Sequence, residues 1–596
     1  MRWVLAIVVA LLLAVVAVSW ASGDSSGGDD LAAARYLNPH AQLVAAIDLD
    51  YEGGQWQQLK RLYARAVGTG VARELFDGPA PATLDGALEK VGGFAGLSFG
   101  RDIRPLLHGK LLAAVHVTPA SPLSAATRDL LERVDGDKTR FDRRGRPVYV
   151  DRRGRRLDRR RVLAAIRERG KRQPRTEVDV AYHIQDKNAL DRLLVRLKRT
   201  GLKRRALRGV NNAELLGDGV ALVGGDTLVA VSGDNLGEKR TNSLLRQRAR
   251  GQASPNLRLP TPGEALVRLR ATAGVLALLL DRDELRRLRH TPPGRALHAA
   301  ELSLVLSDDA AHLDGRVDFT GLADNQLPLP PATPIELPRD AGIASASADQ
   351  SRTTVFLARL VRQLYPRSRF IRRVKALERR ERLRFEDAVL RQFTGPSQSV
   401  LRPTPSGETR FAARSSLRDP AEMRRLLPRI APRLPGILEG LQGLGQTGLS
   451  SLLLVAPDAP LTPNAFGLLA SVHVRPLPDR RPSTPGDPGE LLYEITGLEQ
   501  ARGVPGLDRV VYGVIGDKFV VASDRTFARR VATMTTFQAE PAGTRLRIDL
   551  PRLLREAGGT NAEAHLLESF VAGAEVSASA ENGDIVAHGT VRWTPH

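Results

Sequence analysis

"VALVGGDTLVAVS" (220–232) is two short apolar runs closed around Gly225-Asp226, and "VYGVIGDKFVVAS" (511–523) repeats the pattern around Gly516-Asp517. Apolar, β-branched runs flanking a Gly-Asp pair predict tight hairpins. Their recurrence far apart in one chain directs the search to internal repetition.

Three further blocks match in the same order, the first, second and fourth along the chain, with these hairpins as the third. "PHAQLVAAIDLD", from Pro39, pairs with "PRDAGIASASAD", from Pro338, setting Asp48 against Ser347 and Asp50 against Asp349. "YHIQDKNALDRLLVRL" (182–197) pairs with "SSLRDPAEMRRLLPRI" (415–430), where Asp186 and Asp419 stand at the start of helical periodicity, as N-caps do. "PGEALVRLR" pairs with "AGTRLRIDL", and "AELSLVLSDDAAHLDGRVDF" with "AEVSASAENGDIVAHGTVRW". The expected class is therefore α+β: two homologous tandem halves, each of antiparallel hairpins with long helices packed on the sheet. The halves fall at 38–322 and 338–596, joined by a Pro-rich linker at 323–337 that runs into "LPLPPATPIELP".

Before the repeats, "MRWVLAIVVALLLAVVAVSW" carries no charge after Arg2. As a helix its apolar core would reach about 27 Å, near the hydrocarbon thickness of a bilayer. Trp3 and Trp20 stand where interfacial aromatics belong. Residues 1–22 are read as an uncleaved signal-anchor, a transmembrane helix, and 23–37 as a flexible tether. The body is then extracytoplasmic, in a single-pass protein of the cell membrane. The small residues around Ala17-Val18-Ser19 keep a cleaved, secreted form as the alternative.

The formal charge is +22, yet two stretches carry nearly all of it: 139–175 holds fifteen Arg and one Lys against four acids, and 362–384 nine Arg and one Lys against two. These are read as Arg-rich insertions. Their polyanion-contact candidates are Arg152, Arg153, Arg155, Arg156, Arg159, Arg160 and Arg161 in the first, and Arg372, Arg373, Arg379 and Arg380 in the second. Guanidinium clusters suit phosphate. Outside a membrane the matching partners are anionic lipid or wall polymer, and nucleic acid is not expected.

No cysteine occurs, which excludes disulfides, thiolate nucleophiles and cysteine-based zinc sites, and the eleven histidines show no metal-binding spacing. "GLSFG" (96–100) lacks the strand before Ser98 that a nucleophile elbow requires. "GLGQTG", with Gly443, Gly445 and Gly448, has helix before and strand after, the reverse of a dinucleotide loop. No catalytic residue, metal ligand or cofactor is assigned.

The anchor, "LVAAIDLD" with "WQQLKRL", "FGRDIRPLLHGKLLAAVHV" (99–117) and "VALVGGDTLVAVS" together resemble a family of uncharacterised bacterial, mostly actinobacterial, membrane-anchored envelope proteins with a domain of unknown function. The resemblance implies location and architecture, not an activity. The expectation is a non-enzymatic binding or scaffolding protein of the cell envelope. A lipid or apolar-ligand carrier or sensor is one alternative, marked by an apolar cavity; a carboxylate-based hydrolase is another, marked by acids and a histidine converging in one cleft.

Overall fold

The computed structural model describes residues 33–437 and 473–595, apart from short stretches within them, chiefly 73–78, 93–96, most of 120–139, 234–237, 252–256, 479–488, 497–508 and 559–567. It is a mixed helix and sheet protein dominated by one antiparallel sheet of 20 strands. The anchor segment 1–22 and most of the tether lie outside the described residues. No helix among the described residues is long and apolar enough to cross a membrane.

In the first half the strands are β1 (Leu43–Asp48), β2 (Lys110–Thr118), the two-residue β3 (Arg140–Phe141) and β4 (Pro147–Val148), β5 (Arg175–His183), β6 (Arg205–Ala206), β7 (Ala213–Gly217), β8 (Val220–Val223), β9 (Thr227–Gly233), β10 (Val267–Thr272), β11 (Leu297–Leu306) and β12 (Ala310–Phe319). The second half has β13 (Thr333–Pro338), β14 (Ile343–Ser347), β15 (Ser397–Pro403), β16 (Thr409–Ser416), β17 (His473–Pro476), β18 (Glu490–Thr496), β19 (Arg509–Ile515), β20 (Lys518–Ala522), β21 (Thr536–Ala542), β22 (Thr544–Asp549), β23 (Val571–Glu581) and β24 (Asp584–Trp593). Pairing runs β6-β7-β8-β9-β5-β2-β1-β10-β11-β12 through the first half and β17-β18-β19-β20-β16-β15-β14-β22-β23-β24 through the second. The two ten-strand series correspond strand for strand, and their last members, β12 and β24, pair with each other. The expected hairpins close β8 on β9 and β19 on β20, with Gly225 (φ 81°) and Gly516 (φ 58°) supplying the left-handed backbone that a side chain would strain.

Helices cover both faces. α1 (Gly54–Gly68), α2 (Leu84–Gly92) and α4 (Lys187–Arg199) bury Trp56, Leu59, Leu88 and Leu190 against Ile47, Leu111 and Tyr182; α3 (Arg159–Lys171) lies on the long β2–β5 connection. On the opposite face α5 (Glu238–Ala249) sets Leu245 and Ala249 against Val44, Leu112 and Val229. After β10 come α6 (Arg282–Arg289) and α7 (Pro292–Ala296). The second half opens with α8 (Gln350–Leu364) and α9 (Arg369–Glu381). α10 (Pro420–Ile430) joins α9 over Tyr512 and Val514, while α11 (Arg525–Ala532) packs Phe527 and Val531 on Val400 and Val520 across the sheet. α12 (Leu550–Glu556) follows β22.

Two cores cross the boundary between the halves. Phe570 and Trp593 join the core under α1, and Leu285 and Leu288 of α6 pack with Val361 and Leu364 of α8 and with Tyr365, whose hydroxyl donates to Glu284 at 2.9 Å. The Pro-rich connection contributes β13, which pairs with β21 and buries Ile335 and Leu337 over the second half.

Block-one register differs from the sequence match by one residue. Asp48 N–H donates to Leu266 O and Ala348 N–H to Gly543 O, so the strand counterpart of Asp48 is Ala348. Asp349 does cap α8, receiving Ser351 N–H, but Asp50 caps nothing: α1 starts four residues later, at Gly54, with Gly53 as its N-cap. With that register the four extra loop residues Asp50, Tyr51, Glu52 and Gly53 separate strand from helix in the first half. Asp186 and Asp419 both cap, accepting from Ala189 and Glu422 N–H at 2.8 Å.

Candidate functional site: a charged face at the seam

The β12–β24 pairing places Asp314 opposite His588, 274 residues apart in the chain. The block-four match gives these two residues as each other's counterparts, so the local two-fold axis passes between them. Side chains on a strand alternate between faces, and pairing registers extend one row across six strands: Arg268, Ser303, Asp314, His588, Ser577, Arg545. The flanking rows hold Arg270, Glu301 and Arg316 on one side and His312, Thr590, Glu575 and Arg547 on the other. The alternate positions are apolar, Val267-Leu304-Leu313-Gly589-Val576-Leu546 and Leu302-Gly315-Ala587-Ala578, so the seam has one charged face and one greasy face.

On the charged face His588 Nδ1 meets Asp314 Oδ1 at 2.7 Å, with both side chains more than half exposed. Arg270 pairs with Glu301. Arg316 bonds Asp318 and Asp584, and the Asp584 carboxylate holds the guanidinium more firmly protonated than usual. An open cavity of about 340 Å³ sits over the first-half rows, bounded by Glu264, Arg268, Glu301, Ser303, Asp314 and His588. Asp48, cross-strand from Lys110, lies within electrostatic reach of Arg268. Burial pushes its carboxyl above the usual range, while the Asp50 N–H and the charges of Lys110 and Arg268 pull it back.

The second-half copy is closed by the chain itself. Arg545 is held by Glu575 at 2.6 Å and by Glu540 of β21 at 3.0 Å. Arg547 donates to Pro338 O at the end of β13 and lies under the Phe537 ring. One copy of the surface is thus roofed by β13 and β21, and the other is open. Chemically, the open copy offers guanidinium, carboxylate, hydroxyl and imidazole groups at cross-strand spacing, a surface for a polar ligand with several hydrogen-bonding groups. Among the described residues no cluster of three or more His, Asp or Glu side chains could hold a metal ion.

The arginines singled out from sequence lie elsewhere. Arg152 and Arg153 are outside the described residues. Arg155 is tied to Asp151 through its N–H and its Nε, both at 2.9 Å. Arg156, Arg159, Arg160 and Arg161 are exposed before and along the first turn of α3, with Arg161 beside Asp158. Arg372, Arg373, Arg379 and Arg380 are exposed on α9, opposite its buried Ile371, Val374 and Leu377, so 362–384 is part of the packed body. Among the described residues, Arg155 and Arg156 precede α3 and Arg159, Arg160 and Arg161 open it, while the four second-half arginines share α9, so the two groups sit on separate elements, one in each half. Ser98 accepts from Arg101 N–H and donates to Glu89, a capping role; Gly443, Gly445 and Gly448 are outside the described residues.

The seam residues had a sequence signal. "VRLR" (267–270) and "TRLR" (544–547) occupy equivalent strands, but an ungapped match of "PGEALVRLR" with "AGTRLRIDL" slides them past one another. Against known protein families, curated proteins and solved structures, the chain shows no match.

Proposed function

We propose that this is a membrane-anchored, extracytoplasmic binding protein of the cell envelope, built from two homologous halves and acting without catalysis. The observation that carries the reading is the open charged seam: a hydrogen-bonding surface on a rigid sheet, doubled by the repeat and left accessible in one copy. The apolar N-terminal segment supports the anchor, and the exposed arginines of α3 and α9 support contact with anionic lipid or wall polymer.

The test uses the full chain expressed in its envelope. It should sediment with membranes, resist a high-salt wash and be cut by protease added outside intact cells, whereas deletion of 1–22 should release it. A soluble intracellular full-length chain would overturn the location. For the arginine surfaces, vesicles with anionic headgroups should bind the purified protein and neutral ones should not. Neutralising the α3 and α9 arginines should remove that binding, and unchanged binding would refute the polyanion role.

A second reading, a carboxylate-based hydrolase, is favoured by one observation: Glu264, Glu301, Asp314 and His588 line a single cavity. It requires that the purified chain hydrolyse an envelope ester or glycan and that His588→Ala abolish that hydrolysis.

A further inference from the structure

A second cavity, of about 440 Å³, lies where the two halves meet, away from the charged seam face. One wall is α8; the other is α7 with the connection 322–327. Its position is fixed by the packing of α6 on α8 and by the Tyr365–Glu284 hydrogen bond. The volume falls within the range of small-molecule sites, roughly 300–1,000 Å³.

The lining is amphipathic. Phe356 and Leu360 of α8 face Leu322 and Leu327 across the cavity, and Arg352 and Arg359 stand along the same helix. The two arginines are engaged differently. Arg359 shares Glu386 with Arg391, at 2.5 and 3.3 Å, and Arg391 also pairs with Asp387 at 3.1 Å, so two carboxylates balance the two guanidiniums within the protein. Arg352 donates one nitrogen to two backbone carbonyls, Asp324 O at 3.1 Å and Leu329 O at 3.4 Å. Those bonds orient the guanidinium without neutralising it, and the one carboxylate in the lining, Asp349, accepts from the Ser351 N–H and hydroxyl at the start of α8, at 3.0 and 2.7 Å. A fixed cation beside an apolar lining suits a ligand with an anionic head and a hydrocarbon tail: the head receives charge-assisted hydrogen bonds and the tail leaves water.

We infer that this inter-half cavity binds a single-chain anionic amphiphile, with Arg352 holding the carboxylate or phosphate head and Phe356, Leu360, Leu322 and Leu327 enclosing the chain. The inference does not depend on the seam being a binding surface.

The experiment places the full chain in neutral phosphatidylcholine nanodiscs and titrates dodecanoate, lysophosphatidylglycerol, lysophosphatidylcholine and dodecanol. Bound ligand is counted by native mass spectrometry. Leu360→Trp, which fills the cavity, subtracts partition into the disc. One equivalent of dodecanoate, of lysophosphatidylglycerol or of both should bind wild type and be lost in Leu360→Trp. Arg352→Gln should weaken it about tenfold or more, the effect of one lost charge-assisted bond, and Phe356→Trp should reproduce Leu360→Trp. Dodecanoate alone identifies a free carboxylate, and the lysolipid alone a phosphate head. Binding of neither, equal binding of dodecanol or lysophosphatidylcholine, or unchanged binding in folded Leu360→Trp would overturn the inference.

Discussion

Replacing Asp584 with alanine tests the seam directly. Its side chain is nearly buried at the start of β24, where it accepts from Arg316 Nε and from Phe319 N–H at 3.0 Å each, both from β12. Hydrogen bonds to a charged group contribute about 1.5–3 kcal/mol each in mutational series. Asp584→Ala removes both acceptors, leaves the Phe319 N–H without this partner and frees Arg316 to keep only Asp318. Non-additivity within one cluster argues for a total of about 2–3 kcal/mol rather than the sum. That cost should appear as easier opening of the β12–β24 pairing. Hydrogen–deuterium exchange of the full chain reads it: peptides covering 310–319 and 584–593 should exchange roughly 30- to 150-fold faster, since about 1.4 kcal/mol is a factor of ten. Asp584→Asn keeps an acceptor for Phe319 and should show a smaller change. A change below threefold in both peptides, or one confined to 584–593 with β12 unaffected, would refute the reasoning.

Other outcomes follow from the same structure. Arg248 and Asp179 form an ion pair with 6% and 1% of the side chains exposed, Nε to carboxylate at 2.6 Å, so Arg248→Met should cost about 3–5 kcal/mol in denaturant unfolding and Asp179→Leu with Arg248→Met much less. Burial already raises the Asp179 carboxyl and Arg248 counters it. A raised carboxyl gives stability that is present below its unfolded value, about 3.9, and lost as pH rises. The deficit of Arg248→Met relative to wild type should therefore widen from pH 4 to pH 7, and a constant deficit would contradict the assignment. Asp186→Ala and Asp419→Ala should each lower stability by about 1 kcal/mol as lost caps. Asp50→Ala should fall measurably short of that, because Asp50 caps no helix.

What was legible in the chain was local. The Gly-Asp hairpins, the caps at Asp186 and Asp419 and the block-four match can be read because each is set by residues close in sequence. The block-one register slipped because matching Asp50 to Asp349 looks right until four extra loop residues, Asp50 to Gly53, separate strand from helix in one half only. The Pro-rich connection hid β13, although Ile335 and Leu337 at a spacing of two already marked a strand with one buried face. Charge counting led to the dense arginines of α3 and α9, while the seam arginines Arg268, Arg270, Arg545 and Arg547 are ordinary in number and significant only in register. Nothing local in β12 or β24 announces that they pair, because that contact depends on how two complete halves meet.

That contact also governs how the chain must be made. When β12 leaves the ribosome its outer edge has no neighbour, and β24 is 274 residues behind it. At about 5–20 residues per second the wait is roughly 14–55 s. Throughout it the core under α1 lacks Phe570 and Trp593, and an open strand edge beside Leu304 and Leu313 is free to pair with another nascent chain. The seam leaves the first half with an unpaired edge until β24 arrives, so truncations that remove β24 should yield aggregates rather than a smaller folded protein.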